Sequence, residues 1–376
     1  MDMKTEKNTD AIGQVSEQSW WKWVFIAIVA IIFVAMPLMS LDAGNSRDEE
    51  PWRVPQSLLL YEYYTSSFGK STTGYVVNPQ GYAFDTFTTF ITQTFGIDDY
   101  MTARHVCNAF AGAFLMLFVG LLAWLIGGWR AGSLALLLIF FSPHIVGHSF
   151  NNSKDLPFAA CIVGAIYYIA WFIKEFPKPT VKTVFKLGVM TGAAIGIRPG
   201  GFLLIPYFGL FVLVHYLTIN PPKQYFSKEN RIILKKIFVQ AAVALGIMLV
   251  VMFVLWSFAL QDPLNNIAAS LKGVFHYQGS FSQVFEGKLL YSEDLPWYYI
   301  IKNICISSPV AVLIGGGGTT IYGAAATERL LLDIRAAVLF CLSHFLDCVH
   351  QSHRLRRLAT RDVCLPYTAG SSGIGF

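Results

Sequence analysis

Charge is what this chain has least of. Of its 376 residues only 14% are Asp, Glu, Lys or Arg, against 54% hydrophobic and a mean hydropathy of +0.50. A soluble domain of this length would carry roughly a quarter charged residues. The composition therefore excludes an ordinary soluble globular protein. Cysteine is sparse as well: six residues, with no CxxC and no Cys/His spacing that suggests zinc. Cys107, Cys161 and Cys305 fall within or at the edge of apolar runs, where a thiol behaves as a small hydrophobe. Cys341, Cys348 and Cys364 lie in the C-terminal tail, and no disulfide framework is indicated. The net charge of +5 comes without a basic stripe interleaved with aromatics, which argues against nucleic acid as a partner. No internal repeat or inverted half is found, the duplication on which many transporters are built.

What the chain does have is apolar runs of membrane-spanning length. Measured against the roughly 20 residues that cross a bilayer, they predict about eight helices, near 22–40, 104–126, 131–149, 157–174, 183–198, 200–218, 237–260 and 298–316. The expected fold is all-α, a polytopic transmembrane helical bundle. The third and fifth runs are short, and the fifth and sixth could merge or form a re-entrant pair. Trp20, Trp21 and Trp23 open the first run as an interfacial aromatic belt. That run is too long for a signal-peptide core and follows a polar stretch, residues 1–19, so it is expected to stay as an anchor.

Lys and Arg placement orients the bundle. With a cytoplasmic N-terminus, the cytoplasmic loops hold Arg130, then Lys174, Lys178 and Lys182, then Lys223, Lys228, Arg231, Lys235 and Lys236, and among acids only Glu175 and Glu229. The other side receives Asp42, Asp48, Glu49, Glu50, Glu62, Asp85, Asp98, Asp99, Asp155, Asp262, Glu286, Glu293 and Asp294. The positive-inside rule selects this orientation. Two exterior loops are long. The first, 42–103, contains stretches at 54–68 and 83–95 that read as amphipathic helices lying in the interface. The second, 261–297, carries His276, Tyr277 and Gln278 and ends in Trp297-Tyr298-Tyr299.

Three polar features share the exterior face in this topology: Arg47-Asp48-Glu49-Glu50 just past the first span, Asn151-Asn152-Ser153-Lys154-Asp155-Leu156-Pro157 between the third and fourth, and Arg198-Pro199-Gly200-Gly201 between the fifth and sixth. A pocket between them would hold two acidic sites and at least two cations, which suits transfer of a group from a lipid phosphate. A carboxylate such as Asp48 can take the proton of an attacking hydroxyl. Arg198, Lys154 or Arg104 can pair with the departing phosphate, Arg with the better two-pronged geometry. Asp48 and Asp155 could instead hold a divalent metal at the same leaving group. Each feature also has a plain structural role. Asp155 can cap the fourth helix ahead of Pro157, Arg198 can snorkel to the headgroups, and the paired glycines can allow close helix approach. His144 and His148 read as packed or interfacial, and the aromatics of the first loop as interface packing.

At these residues the chain resembles glycosyltransferase family 39, the protein O-mannosyltransferase and aminoarabinose transferase group of the C-type membrane glycosyltransferases. Asp48-Glu49 matches in place and type the Asp-Glu pair that opens the first exterior loop in that group. Ala103-Arg104-His105 through Gly112 is similar to the start of its second helix. Gly128-Trp129-Arg130-Ala131-Gly132, Ser142-Pro143, Gly147-His148-Ser149, the run from Asn151 to Ala159 and Ile195-Gly196-Ile197-Arg198-Pro199-Gly200-Gly201 resemble bacterial members. The resemblance covers roughly residues 20–315. It implies a polyprenyl-phosphate sugar donor, a lipid, glycan or protein acceptor on the exterior (periplasmic) face of a bacterial inner membrane, and inverting transfer with Asp48 as base. Site residues would be Asp48, Glu49 and Asp155 for the chemistry and Arg104, Lys154 and Arg198 for the lipid phosphate. A metal requirement varies within the group. The rival readings are a non-enzymatic transporter or lipid-carrier flippase, and an inactive truncated paralogue.

The tail, residues 317–376, departs from the family pattern of further spans. It carries Arg329, Arg335, Arg354, Arg356, Arg357 and Arg361 and, from 319 on, no Lys, whereas earlier segments favour Lys; Asp333 and Arg335 interrupt its one apolar stretch. The tail is expected to be a frameshifted or truncated end. Sequencing the genomic locus checks this: an uninterrupted frame closing at Phe376 would count against it.

Overall fold

The computed structural model describes residues 3–46, 49–66, 81–275, 282–291 and 294–307, with side chains from Trp20 onward except at 274, 275, 283 and 304. Arg47, Asp48, His276 to Gln278, the eighth expected span beyond Ser307 and the 317–376 tail lie outside these residues. The described chain is helical apart from one antiparallel hairpin, β1 (Ser282–Phe285) and β2 (Lys288–Tyr291), which the sequence reading did not anticipate. Among the described residues five helical stretches are long and apolar enough to cross a membrane: Trp20–Ser40, Tyr100–Phe140, Asp155–Lys174, Pro199–Ile219 and Lys228–Leu255.

The helices run α1 (Met3–Ser40), α2 (Val54–Thr65), α3 (Ala83–Phe95), α4 (Tyr100–Phe140), α5 (Pro143–Asn151), α6 (Asp155–Lys174), α7 (Val181–Ile197), α8 (Leu204–Ile219), α9 (Lys228–Leu255), α10 (Ser257–Gln261), α11 (Pro263–Phe275) and α12 (Tyr299–Ser307). α6 sits at the centre, almost wholly apolar and buried, with α4, α7 and α8 around it. α1 packs on α4, and α9 packs on α7. α7, with 17 residues, is at the short end of what crosses a bilayer; it is mostly buried and contacts helices on two sides, α6 and α9.

Two expected boundaries move. The third span, expected as one helix over 131–149, is two pieces. Gly128, at φ +76°, turns the chain back, so residues 129–140 run antiparallel to 100–127 and bring Gly132 onto the Gly120 carbonyl. The returning helix ends at Phe140, because Ser142 precedes a proline and is extended, and α5 follows from Pro143. The seventh helix starts at Lys228 instead of 237, since Ser227 caps it by accepting from the Asn230 N–H at 3.2 Å and the basic residues extend it past the apolar stretch.

The two ends of the bundle differ chemically. At one, the Arg130 guanidinium lies 5.7 Å from the Trp21 ring centre, and Lys174 lies over Trp171 and Trp124. That end gathers the basic residues at an aromatic belt. At the other end lie the first long loop, the starts of α4 and α6 and the end of α7.

Helix approach depends on glycine at particular points. Gly188, Gly192 and Gly196 recur every fourth residue along α7, one stripe facing α9. A Cβ there would lie 2.7 Å from the Ala244 carbonyl oxygen, 2.6 Å from that of Met248 and 2.8 Å from the Leu255 Cβ. Gly81, before α3, presses its backbone on the Gly196 carbonyl. Gly192→Ala is therefore expected to force α7 and α9 apart at a cost of about 1–3 kcal/mol. Gly246→Ala, on an open face of α9, should be neutral or slightly stabilising. Thermal unfolding of the detergent-solubilised variants checks the contrast; equal effects would sink it.

Candidate active site

The first loop does not float over the bundle. Its helix α3 carries Asp85, Thr88, Thr89 and Thr92 on one side, at i, i+3, i+4 and i+7, and Phe84, Phe87, Ile91 and Phe95 on the other. The polar side is the buried one, while Phe87 and Phe95 are exposed. In a soluble protein this would be inside out. At a bilayer surface it places phenyl rings toward lipid and hydroxyls toward protein.

Asp85 is the centre of the buried side and has no exposed surface. Arg53, from the π-helical turn Glu49–Arg53 ahead of α2, donates to Oδ2 through Nε at 2.9 Å and through a second guanidinium nitrogen. Arg104, in the first turns of α4, donates to Oδ1 at 2.7 Å, and the Ser153 hydroxyl donates to the same oxygen at 2.7 Å. Arg104 also reaches the Thr89 hydroxyl at 3.0 Å, which in turn donates to Ser57 at 2.8 Å. Arg53 stacks 4.7 Å above the Tyr82 ring. Burial works against the Arg53 charge, but Asp85, joined by Tyr82 and Asp155, outweighs it and the guanidinium pKa is raised. One carboxylate thus ties together α2, α3, α4 and the turn before α6.

A second pair lies beside it. Asp155 opens α6; its N–H donates to Asn152 Oδ1 at 3.0 Å, and its Oδ2 accepts from Asn152 Nδ2 at 3.2 Å. The expected capping role thus belongs to Asn152, with Asp155 in the first turn. Arg198, extended because it precedes Pro199, reaches across from the end of α7 to pair with Asp155. Lys154 is half-buried next to it.

A third group forms around Glu49. Its Oε2 accepts from the Ser46 N–H at 2.7 Å and lies 3.4 Å from His105 Nε2, both side chains being buried. Asn108, one turn further along α4, donates to the His148 carbonyl, and Asn152 approaches His148 Nδ1 at 3.2 Å. Asn151 donates to the Gly44 carbonyl at 3.0 Å. His148 therefore braces this face, its ring 4.6 Å from that of His144.

The residues expected from sequence fall as follows. Glu49, Asp155, Arg198, Lys154 and Arg104 all lie at the same end of the bundle; Asp48 lies outside the described residues. Arg104 is not presented to a ligand. Its side chain is 3% exposed and committed to Asp85 and Thr89, so it builds the site without facing it. Asp155 carries a guanidinium, which disfavours a second cation on the same carboxylate, and among the described residues no three His, Cys, Asp or Glu side chains group as a metal site. Asp85 and Arg53 were not singled out. The available signal was Asp85's place on the threonine side of α3 instead of its phenylalanine side.

Neither the known protein-family models nor the curated proteins contain a match to this chain. Among solved structures, the fold is similar to a chain of the S. cerevisiae protein O-mannosyltransferase Pmt1-Pmt2 complex bound to the sugar donor. Identity is 14% and the TM-score 0.45, over 65% of this chain and 34% of that one. This chain therefore spans about a third of that protein's length, and a likeness of this degree says nothing about the chemistry of the site.

Asp85→Asn leaves two buried guanidinium groups sharing one neutral acceptor. It is expected to destabilise the fold by about 3–5 kcal/mol, the range for breaking a buried ion pair from one side. Glu62→Gln, at an exposed position on α2, should leave stability unchanged. Comparing the thermal midpoints of the two variants tests this; an Asp85→Asn protein as stable as the parent would show that the cluster is not the anchor of the first loop.

Proposed function

We propose that this chain is a membrane glycosyltransferase that moves a sugar from a polyprenyl-phosphate donor to an acceptor hydroxyl at the end of the bundle carrying the first long loop. The observation that carries the reading is the convergence there of Glu49, next in sequence to Asp48, with Asp155, Lys154 and Arg198, all at one end of a lipid-facing bundle. The resemblance of Asp48-Glu49 and the Asn151–Ala159 run to the family 39 pattern supports it. By the positive-inside rule this end is exterior and the N-terminus cytoplasmic.

The acceptor oxygen attacks the anomeric carbon from the face opposite the phosphate, giving inversion. Asp48 takes the hydroxyl proton as the new bond forms. The bond between the anomeric carbon and the phosphate oxygen breaks, and the lipid monophosphate leaves with its added charge balanced by Arg198 and Lys154. Glu49, fixed by Ser46 and His105, holds the start of the loop in place beside the base.

Membranes containing the chain are expected to transfer radiolabel from a polyprenyl-phosphate sugar pool, and Asp48→Asn should lower the rate by about 10²–10⁴-fold, the usual worth of a general base. Transfer undiminished in the variant would remove Asp48 from the mechanism. Absence of transfer in both, under conditions where the protein is folded, would remove the activity.

A further inference from the structure

The three arginines that meet buried acids in this site are not equivalent. Arg53 and Arg104 have side chains 8% and 3% exposed and occupy both oxygens of an Asp85 that has no exposed surface. Withdrawing either would strip a fully buried carboxylate oxygen of its charged donor, with no water to replace it. Arg198 is 19% exposed and approaches from the far side of the site, on a single extended residue between α7 and the Pro199–Leu203 turn.

Its partner does not depend on it to the same degree. Asp155 sits in the first turn of α6, a 20-residue helix whose N-terminal dipole favours an anion. Asn152 holds Asp155 from both sides, accepting from its N–H and donating to its Oδ2. If Arg198 moves away, the carboxylate keeps the helix end and the Asn152 bond. Arg198 cannot go without an anion, but it can exchange one for another. A phosphate monoester or diester offers it two acceptor oxygens in the geometry a guanidinium fork prefers.

We infer that Asp155 is a placeholder for phosphate: it holds Arg198 in position until the phosphate of the lipid donor takes the guanidinium over. This rests on the lipid-phosphate reading above. Asp155 is then a positioning residue and neither base nor metal ligand, and Arg198, with Lys154 beside it, is the cation that meets the ligand. The exchange breaks no covalent bond and leaves the charge of every group unchanged. A partner that must be displaced lowers apparent affinity by the fraction of time the site is occupied, so removing the Asp155 charge should strengthen phosphate binding.

The test is a titration of the purified full chain in lipid nanodiscs with farnesyl phosphate, and with farnesol as the uncharged control. The parent should prefer the phosphate, and Arg198→Gln should lose that preference. Asp155→Asn should bind farnesyl phosphate roughly tenfold more tightly, with the double variant no better than Arg198→Gln alone. Asp155→Ser is run in parallel as a second uncharged side chain at this first-turn position. Weaker binding in the Asp155 variants would overturn the placeholder and make Asp155 part of the ligand's own site. Phosphate preference in the parent that survives in Arg198→Gln would overturn the exchange while leaving the lipid-phosphate reading intact. No preference in the parent would bring down that reading itself. Failure of both Asp155 variants to fold would also overturn the inference, because a carboxylate that yields its partner to a ligand cannot be indispensable to the fold.

Discussion

The structure turns on a carboxylate with no route to water. Asp85 accepts from two arginines and a serine, and these come from three separate parts of the chain. An unpaired charge beside hydrocarbon would be neutralised or expelled, so Asp85 and its arginines must be brought together for the first loop to dock at all. Their docking fixes more than the loop. Arg104 sets the start of α4, Ser153 sets the turn that opens α6, and Arg53 sets the short turn that begins with Glu49. The residues that surround the proposed chemistry are therefore positioned by a group that takes no part in it.

Packing within the bilayer supplies the second half of this arrangement. Arg198 reaches Asp155 only because α7 ends at the right height, and α7 is seated by its glycine stripe against the backbone of α9. Gly81 rests on the same helix end through Gly196, so the first loop and Arg198 are referenced to one surface. Helices in lipid have little hydrophobic drive to associate and rely on close van der Waals contact. Here that contact carries functional information: a spacing error between α7 and α9 becomes a positional error at Arg198.

What was readable in the sequence follows from which interactions are local. Apolar runs of bilayer length mark helices because the cost of unsatisfied backbone in lipid is paid residue by residue, and α6, α8 and the two helices of the first loop fell close to their expected bounds, whereas α1 begins at Met3, well ahead of the apolar run expected from 22. Breaks were harder. Ser142-Pro143 interrupts an apolar run whose composition alone reads as continuous, and Gly128 shows its left-handed conformation only in the folded chain. The site was legible as a set of residues on one face, since topology alternates sides. Its pairings were not. Arg104 and Arg198 are chemically alike in the sequence, and only the fold separates one that is consumed by Asp85 from one that ends on the edge of the bundle. Asp85 was visible as an acid and invisible as a hub, because its partners lie 32, 19 and 68 residues away.

That separation has a physical logic. A site that handles a phosphate near lipid needs cations, yet every cation placed there must be stable before the ligand arrives. Complete burial on a shared carboxylate, as for Arg53 and Arg104, gives stability and forfeits availability. Full exposure gives availability and forfeits aim, since a solvated arginine samples many rotamers. Arg198 occupies the middle ground: paired, partly exposed, and matched to an acid that a helix end can hold without it. On this view the neighbouring clusters are two uses of one interaction, an arginine on an aspartate. The difference between scaffold and ligand site lies in whether the aspartate can spare its partner. Asp85, enclosed and doubly bound, cannot; Asp155, at the head of α6, can.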